Sequence, residues 1–365
     1  MALHQLLSGR MPTAESTTGP VTHRANNLDA LRLLAAAMVL LAHQHALMRL
    51  PYPRFIGVDI GALGVTIFFA LSGMLVAQSW LSDPHALRFA VRRLLRIWPG
   101  LAACVLVMAL VVGPLFMTLP LREYFASEGT HLFVLQNLKF KINFVLPGVF
   151  EANPFATAVN GSLWTIPIEV VCYAFIGLVG LLGIVARGWL LLLVSAALAC
   201  WIELRFMGAI GHSPAIRSPK YDLLLVFMLG ACALRLRPLW MARPLPWVLG
   251  CLAWAALAWW RDSPLWLGNA MAVFVVCAAY RSATPVLRRA GRFGDLSYGL
   301  YIYGFVVQQS LLALGIGAWG VGAGLGVSLA VTLACAWISW HAVERPALRY
   351  KPAARIRTRP LQATA

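Results

Sequence analysis

The chain has 365 residues, 60% of them hydrophobic and 12% charged, with a formal net charge of +17. That apolar excess excludes a soluble globular domain and points to one bundle of membrane-spanning helices. The positive charge demands no nucleic acid, because cytoplasmic loops of membrane proteins are basic and such rims attract anionic lipids or anionic substrates.

Residues 1–25 form a polar tail with no long apolar core, so a cleaved signal peptide is not expected. Ten apolar spans follow, at about 28–50, 59–81, 97–119, 163–185, 188–206, 222–236, 245–260, 264–280, 294–314 and 321–342. Each must be helical, since lipid offers a backbone no hydrogen-bond partners. With the N-terminus inside, the inner segments hold twenty Lys and Arg and the outer loops nine, which predicts cytoplasmic N- and C-termini. The expected fold class is therefore an all-α polytopic membrane protein of about ten transmembrane helices. The seven cysteines all fall in apolar stretches without a CxxC pair, so neither disulfides nor a metal site are expected.

The first span carries the first chemistry. Arg32 and His43 are eleven residues apart. At about 100° per residue they share one helix face, with a rise of about 16 Å between them. Ionisable groups at membrane depth are functional candidates by default. An Arg at the mouth can hold phosphates while an imidazole deeper in the bundle meets a thioester, and about 16 Å suits an extended pantetheine arm. The alternative is an Arg that snorkels to the headgroups and a His bonded inside the bundle. His45 lies about 200° around the helix from His43, so both cannot face the same cavity equally well.

The second span contains FFALSG, Phe68 to Gly73, where Ser72 and Gly73 permit close helix packing. The third is entered through Arg88, Arg92, Arg93 and Arg96. Arg92 and Arg96 share a face and make a cationic cluster at the inner mouth, either an anionic donor site beside Arg32 or simple topology signalling. The outer connection 120–162 is the longest, and is expected to be a lid or substrate surface, with a disordered spacer as the alternative. The fourth span opens as NGSLWTIPIE, with Trp164 at its mouth and Glu169 about 9 Å inside, at a depth similar to His43. A carboxylate there can orient the imidazole and stabilise its cation, or serve a structural hydrogen bond. The ninth span is unusually polar. Ser297, Tyr298 and Tyr301 are candidates to line a cavity with Ser72 and Trp164, and Tyr303, Gln308 and Gln309 add polarity.

Together these motifs resemble the acyltransferase-3 family of integral membrane O-acyltransferases. The resemblance covers about 26–346 and rests on Arg32 with His43, FFALSG, RRLLRIWP (Arg92 to Pro99), SLWTIPIE (Ser162 to Glu169), LSYGLYIY (Leu296 to Tyr303) and the closing ERP (Glu344 to Pro346). It implies a ten-helix transmembrane domain over 26–346, with 347–365 a basic cytoplasmic tail. It also implies an acyl group taken from cytoplasmic acyl-CoA, chiefly acetyl-CoA, and moved to a hydroxyl. The expected acceptor is a carbohydrate such as a cell-surface or exported glycan, with a macrolide-like small molecule as the alternative. By the same resemblance His43 and Glu169 are catalytic, Arg32, Arg92 and Arg96 bind the donor, and no metal takes part. The expected location is the cell membrane, a bacterial inner membrane. Two departures stand out. Many members end the tyrosine motif with a histidine where this chain has Gly304. No fused outer domain follows, so acceptor recognition is expected from the bundle, the 120–162 loop or a partner. Readings outside this class are a transporter of the same topology, disfavoured by the lack of an inverted repeat, and an inactive relative serving as a partner, disfavoured by the intact Arg32–His43 pair.

Overall fold

The computed structural model of the protein describes residues 26–156, 158–207 and 219–353. The polar tail 1–25, Arg217 and the basic tail from 354 onward lie outside the described residues. Each of the ten apolar stretches is a helix: α1 Leu28–Leu47, α2 Ile60–Ser82, α3 Ala86–Val107, α4 Ile166–Leu181, α5 Gly188–Phe206, α6 Pro219–Arg235, α7 Pro244–Trp260, α8 Pro264–Arg281, α9 Leu296–Ala313 and α10 Gly320–Ser339. Strands among the described residues are limited to the two-residue pair Arg54–Phe55 and Val58–Asp59. The chain is an all-α, multi-pass membrane protein. Among the described residues seven helical segments are long and apolar enough to cross a membrane: α1, α2, α3 extended to Phe116, α4 with the turn before it, α5, α8 and α10 with its flanking turns. The other three of the expected ten are α6 and α7, of 17 residues each, and the polar α9. Ser297, Tyr303, Gln308 and Gln309 of α9 are buried. Their polar groups face protein rather than lipid, so α9 needs less hydropathy to lie inside a bundle.

Helix α2 is the hub. A Cβ on Gly73 would stand 1.8 Å from the Phe227 carbonyl oxygen, and one on Gly230 1.9 Å from that of Ala70. Glycine at both positions lets α2 and α6 meet backbone against backbone. On its other flank Gly64 approaches the Ala35 carbonyl and Gly61 the Ala42 methyl, which seats α1. The Asp59 carboxylate accepts from the Ala62 amide at 2.8 Å and starts α2.

Helix α3 holds Pro99, which removes one amide donor from the helical ladder. Gly100 follows, and Tyr298 of α9 packs on it, its hydroxyl donating to the Ile97 carbonyl at 2.8 Å. This close approach brings the cationic turn of α3 to the start of α9. Farther along, α3 loosens into a π-turn over Met108–Val112, and the Tyr124 hydroxyl donates to the Ala109 carbonyl at 2.8 Å.

The long connection is folded, which removes the disordered-spacer alternative. It contains helices Leu121–Ala126 and Glu128–Leu138, with Tyr124 and Phe133 fully buried. Its last part is pinned to the bundle by Gln309. The Gln309 amide donates to the Phe155 carbonyl at 2.7 Å and that of Ala158 at 2.8 Å, while Asn153 donates back to Gln309 Oε1 at 2.8 Å.

Candidate active site

A cavity opens between α1, α2, α3, α4 and α9, with about 110 Å³ available to the centres of water-sized molecules. Seven of the residues singled out from sequence line it: Arg32, Ser72, Arg96, Glu169, Ser297, Tyr298 and Tyr301. They come from five helices, so the bundle has gathered them from positions up to 269 residues apart in sequence (32 to 301). Arg93, Tyr173 and Thr165 also line it.

The cations are held in two different ways. Asp83, in the turn between α2 and α3, receives Arg88 at 2.5 Å and Arg92 at 2.6 Å. Arg92 is buried and does not line the cavity, contrary to the expected donor role. The i, i+4 spacing that puts it on the face of Arg96 also puts it on the face of Arg88, and Asp83 captures both. Hydrogen bonds from Arg88 and Arg92 hold the Asp83 carboxyl well below the usual carboxylate range. The cavity cation is the next residue, Arg93. Its guanidinium sits over the Phe89 and Tyr173 rings at 5.9 and 5.7 Å and reaches Ser79 Oγ at 3.4 Å. Among the described residues it pairs with no carboxylate, and its buried Nε has no partner.

Arg32 and Arg96 share one carboxylate. Gly294, with φ +106°, turns the chain into α9 in a conformation that favours glycine, and Asp295 stands at the helix start. Asp295 Oδ2 accepts from Arg96 at 2.5 Å and from Arg32 at 3.2 Å, and Oδ1 accepts from Ser297 at 2.6 Å. Burial alone would raise the Asp295 carboxyl, but Arg96 and Arg32 hold it well below the usual range. Arg32 also meets Asp29 at 3.3 Å.

Glu169 forms the opposite wall. It accepts a close hydrogen bond from the Tyr173 hydroxyl, four residues on, and one from Ser72 Oγ at 3.4 Å. It does not meet His43, so the expected orienting contact is absent from this geometry. Its partner Tyr173 lies one turn on along the same helix, so α4 itself supplies that contact. The first turn of this segment is a 3-10 helix over Gly161–Thr165, and Glu169 lies in the first turn of α4 behind it. The same turn removes Trp164 from the cavity. With three residues per turn, Ser162 and Thr165 share the buried face and Trp164 points away, at 36% exposure.

His43 lies beyond the cavity's far wall. That wall is Tyr301, hydrogen-bonded to Thr165 at 2.7 Å, with Phe68 edge-on to the Tyr301 ring at 5.8 Å. One turn farther along α9, Phe305 packs edge-on against the His43 imidazole at 5.1 Å. Among the described residues neither imidazole nitrogen has a hydrogen-bond partner. Phe155 of the 120–162 connection packs edge-on against Phe305 at 6.2 Å, and Arg49 Nε donates to the Pro154 carbonyl at 2.6 Å. This connection thus covers the His43 end of the bundle. Gly304 is buried, and a Cβ there would stand 2.6 Å from Leu40 Cδ1. A histidine at this place would have to displace α1 packing one turn from His43.

The model of the acyltransferase-3 family, described as an acyltransferase domain, matches residues 25–341. The chain belongs to the acyltransferase-3 family. It is 26% identical over 337 residues to an O-acetyl transferase of Shigella phage Sf6, covering 88% of this chain and 96% of that protein. It is 28% identical over 373 residues to nodulation protein 10 of Rhizobium leguminosarum bv. viciae, covering 93% of this chain and 96% of that one. No solved structure matches. The matched acyltransferase region contains every cavity residue named above, from Arg32 to Tyr301.

Proposed function

We propose that this membrane acyltransferase takes an acyl group, acetyl in the first instance, from acyl-CoA and transfers it to a carbohydrate hydroxyl. The observation that carries the donor assignment is Arg93. It is a guanidinium on the cavity wall, without a carboxylate partner, beside two more that share one carboxylate. Three guanidiniums around one chamber suit a polyphosphate, and Arg binds phosphate through two parallel N–H donors. Glu169, Ser72 and Ser297 supply acceptors for the amide N–H groups of a pantetheine arm, and Val65, Leu71 and Val76 supply apolar wall.

The thioester end of that arm points toward His43, past the Tyr301–Thr165 pair. In this reading His43 removes the proton from the acceptor hydroxyl as its oxygen attacks the thioester carbonyl. A C–O bond forms, the C–S bond breaks, and the imidazolium returns the proton to the departing CoA thiolate. The thioester is already activated, so the protein supplies positioning and proton transfer. The O-acetyl transferase name of the phage relative favours acetyl. A carbohydrate acceptor, the cell membrane as location and cytoplasmic termini belong to the same proposal, the last on the Lys and Arg distribution. Purified protein in vesicles is expected to release CoA from acetyl-CoA only when a glycan hydroxyl acceptor is present. Release from no acyl-CoA, with any glycan tried, would overturn the donor assignment.

A further inference from the structure

Helix α1 brings Arg32 and α3 brings Arg96 to the same oxygen of Asp295, at 3.2 and 2.5 Å. Both guanidiniums line the cavity and are about one-fifth exposed. The carboxylate is held in place from its other oxygen by Ser297 at 2.6 Å. The arrangement therefore contains its own anion, aimed at the N–H groups a phosphate needs. Nothing comparable is done for Arg93.

We propose that Asp295 is an affinity-setting residue, a built-in competitor for the donor's phosphates on Arg32 and Arg96. The inference rests on the donor reading above and adds to it. With Asp295 engaged, an incoming polyphosphate meets one uncompensated cation, Arg93, and two that it must share or take over. A state that is not free to bind lowers apparent affinity by the fraction that is competent. The same competition returns the guanidiniums to Asp295 when CoA leaves, so Asp295 speeds product release. Removing its charge makes anions bind more tightly and turnover slower. A carboxylate that merely braced the fold, or merely aimed the two arginines, has the opposite signature, since its loss weakens binding.

The test is ligand binding to the full chain in nanodiscs at low salt, with CoA and inorganic pyrophosphate as probes. Asp295→Asn is nearly isosteric and keeps a hydrogen-bond acceptor. It is expected to bind both probes about fivefold tighter or more, with the gain shrinking as NaCl is raised. In acetyl-CoA turnover its KM and kcat are both expected to fall. Asp295→Glu keeps the charge and is expected to stay within about twofold of wild type. Unchanged or weaker binding by Asp295→Asn in folded protein overturns the proposal. Should that variant not fold, Ser297→Ala loosens the carboxylate and is expected to tighten pyrophosphate binding by a smaller factor. Unchanged or weaker binding there is then the contradicting result. Wild-type protein that binds pyrophosphate but not CoA would overturn the donor reading alone, because the Asp295→Asn effect on pyrophosphate still decides this proposal.

Discussion

Arg92 and Arg93 are neighbours in sequence with opposite surroundings, and they make the sharpest contrast at the scale of single residues. Arg92 is neutralised by Asp83, while Arg93 faces the cavity without a carboxylate. Arg93→Gln is therefore expected to raise the KM for acetyl-CoA by about tenfold or more, in the range for hydrogen bonds to charged groups, with little change in thermal stability. Arg92→Gln is expected to leave KM nearly unchanged and lower stability by about 1.5–3 kcal/mol, read by thermal unfolding in detergent. Asp83 keeps a depressed carboxyl in the fold. Its stabilisation is complete above its ordinary value of about 3.9 and is lost as pH falls below that. An Asp83→Asn variant is thus expected to be less stable than wild type at pH 7, with the gap closing in acid. A gap that is unchanged down to about pH 2 would contradict this assignment. Residue type alone made Arg32, Arg96, Glu169 and the α9 polar groups legible from sequence. Arg93, Tyr173 and Asp295 were not, because their importance depends on which carboxylate each cation finds. The nearest signals were Asp83 just before the arginine run and the i, i+3 spacing of Arg93 and Arg96.

At the scale of elements, glycine decides which helices touch. Gly73 of FFALSG was read as a packing residue, and its contact with the Phe227 carbonyl is that role. Gly73→Ala is expected to lower stability by about 1–3 kcal/mol through overpacking, while Gly250→Ala, with open space around its Cβ, is expected to cost nothing measurable. Equal effects of the two changes would mean that the α2–α6 contact is not tight in the membrane. All ten apolar stretches were legible as helices because lipid leaves the backbone no other choice. What hydropathy could not show was the 3-10 turn before α4. That change of pitch turned Trp164 away from the cavity, while Glu169 meets Tyr173 one turn on along α4, and Ser72 of α2.

Across the whole molecule, the cations and the imidazole occupy separate places joined by α1 and α9. These helices run in the same direction, with Arg32 beside Asp295 at one end and His43 beside Phe305 at the other. The intervening wall, Tyr301 with Thr165 and Phe68, separates the cations from the imidazole. The 120–162 connection, pinned by Gln309 and packed edge-on through Phe155, covers the far side of His43. Sequence spacing along α1 had already implied two stations about 16 Å apart. It was silent on the wall between them, because that wall is built by side chains from α2, α9 and the 3-10 turn before α4.

This division of labour is tested most directly by comparing His43→Ala with wild type in two assays on the same nanodisc preparation: CoA binding, and acyl transfer from radiolabelled acetyl-CoA to a glycan acceptor. The account predicts that the variant binds CoA within about twofold of wild type and transfers no label above background. Retained transfer would remove His43 from the chemistry, and loss of CoA binding together with transfer would contradict the separation of the two stations.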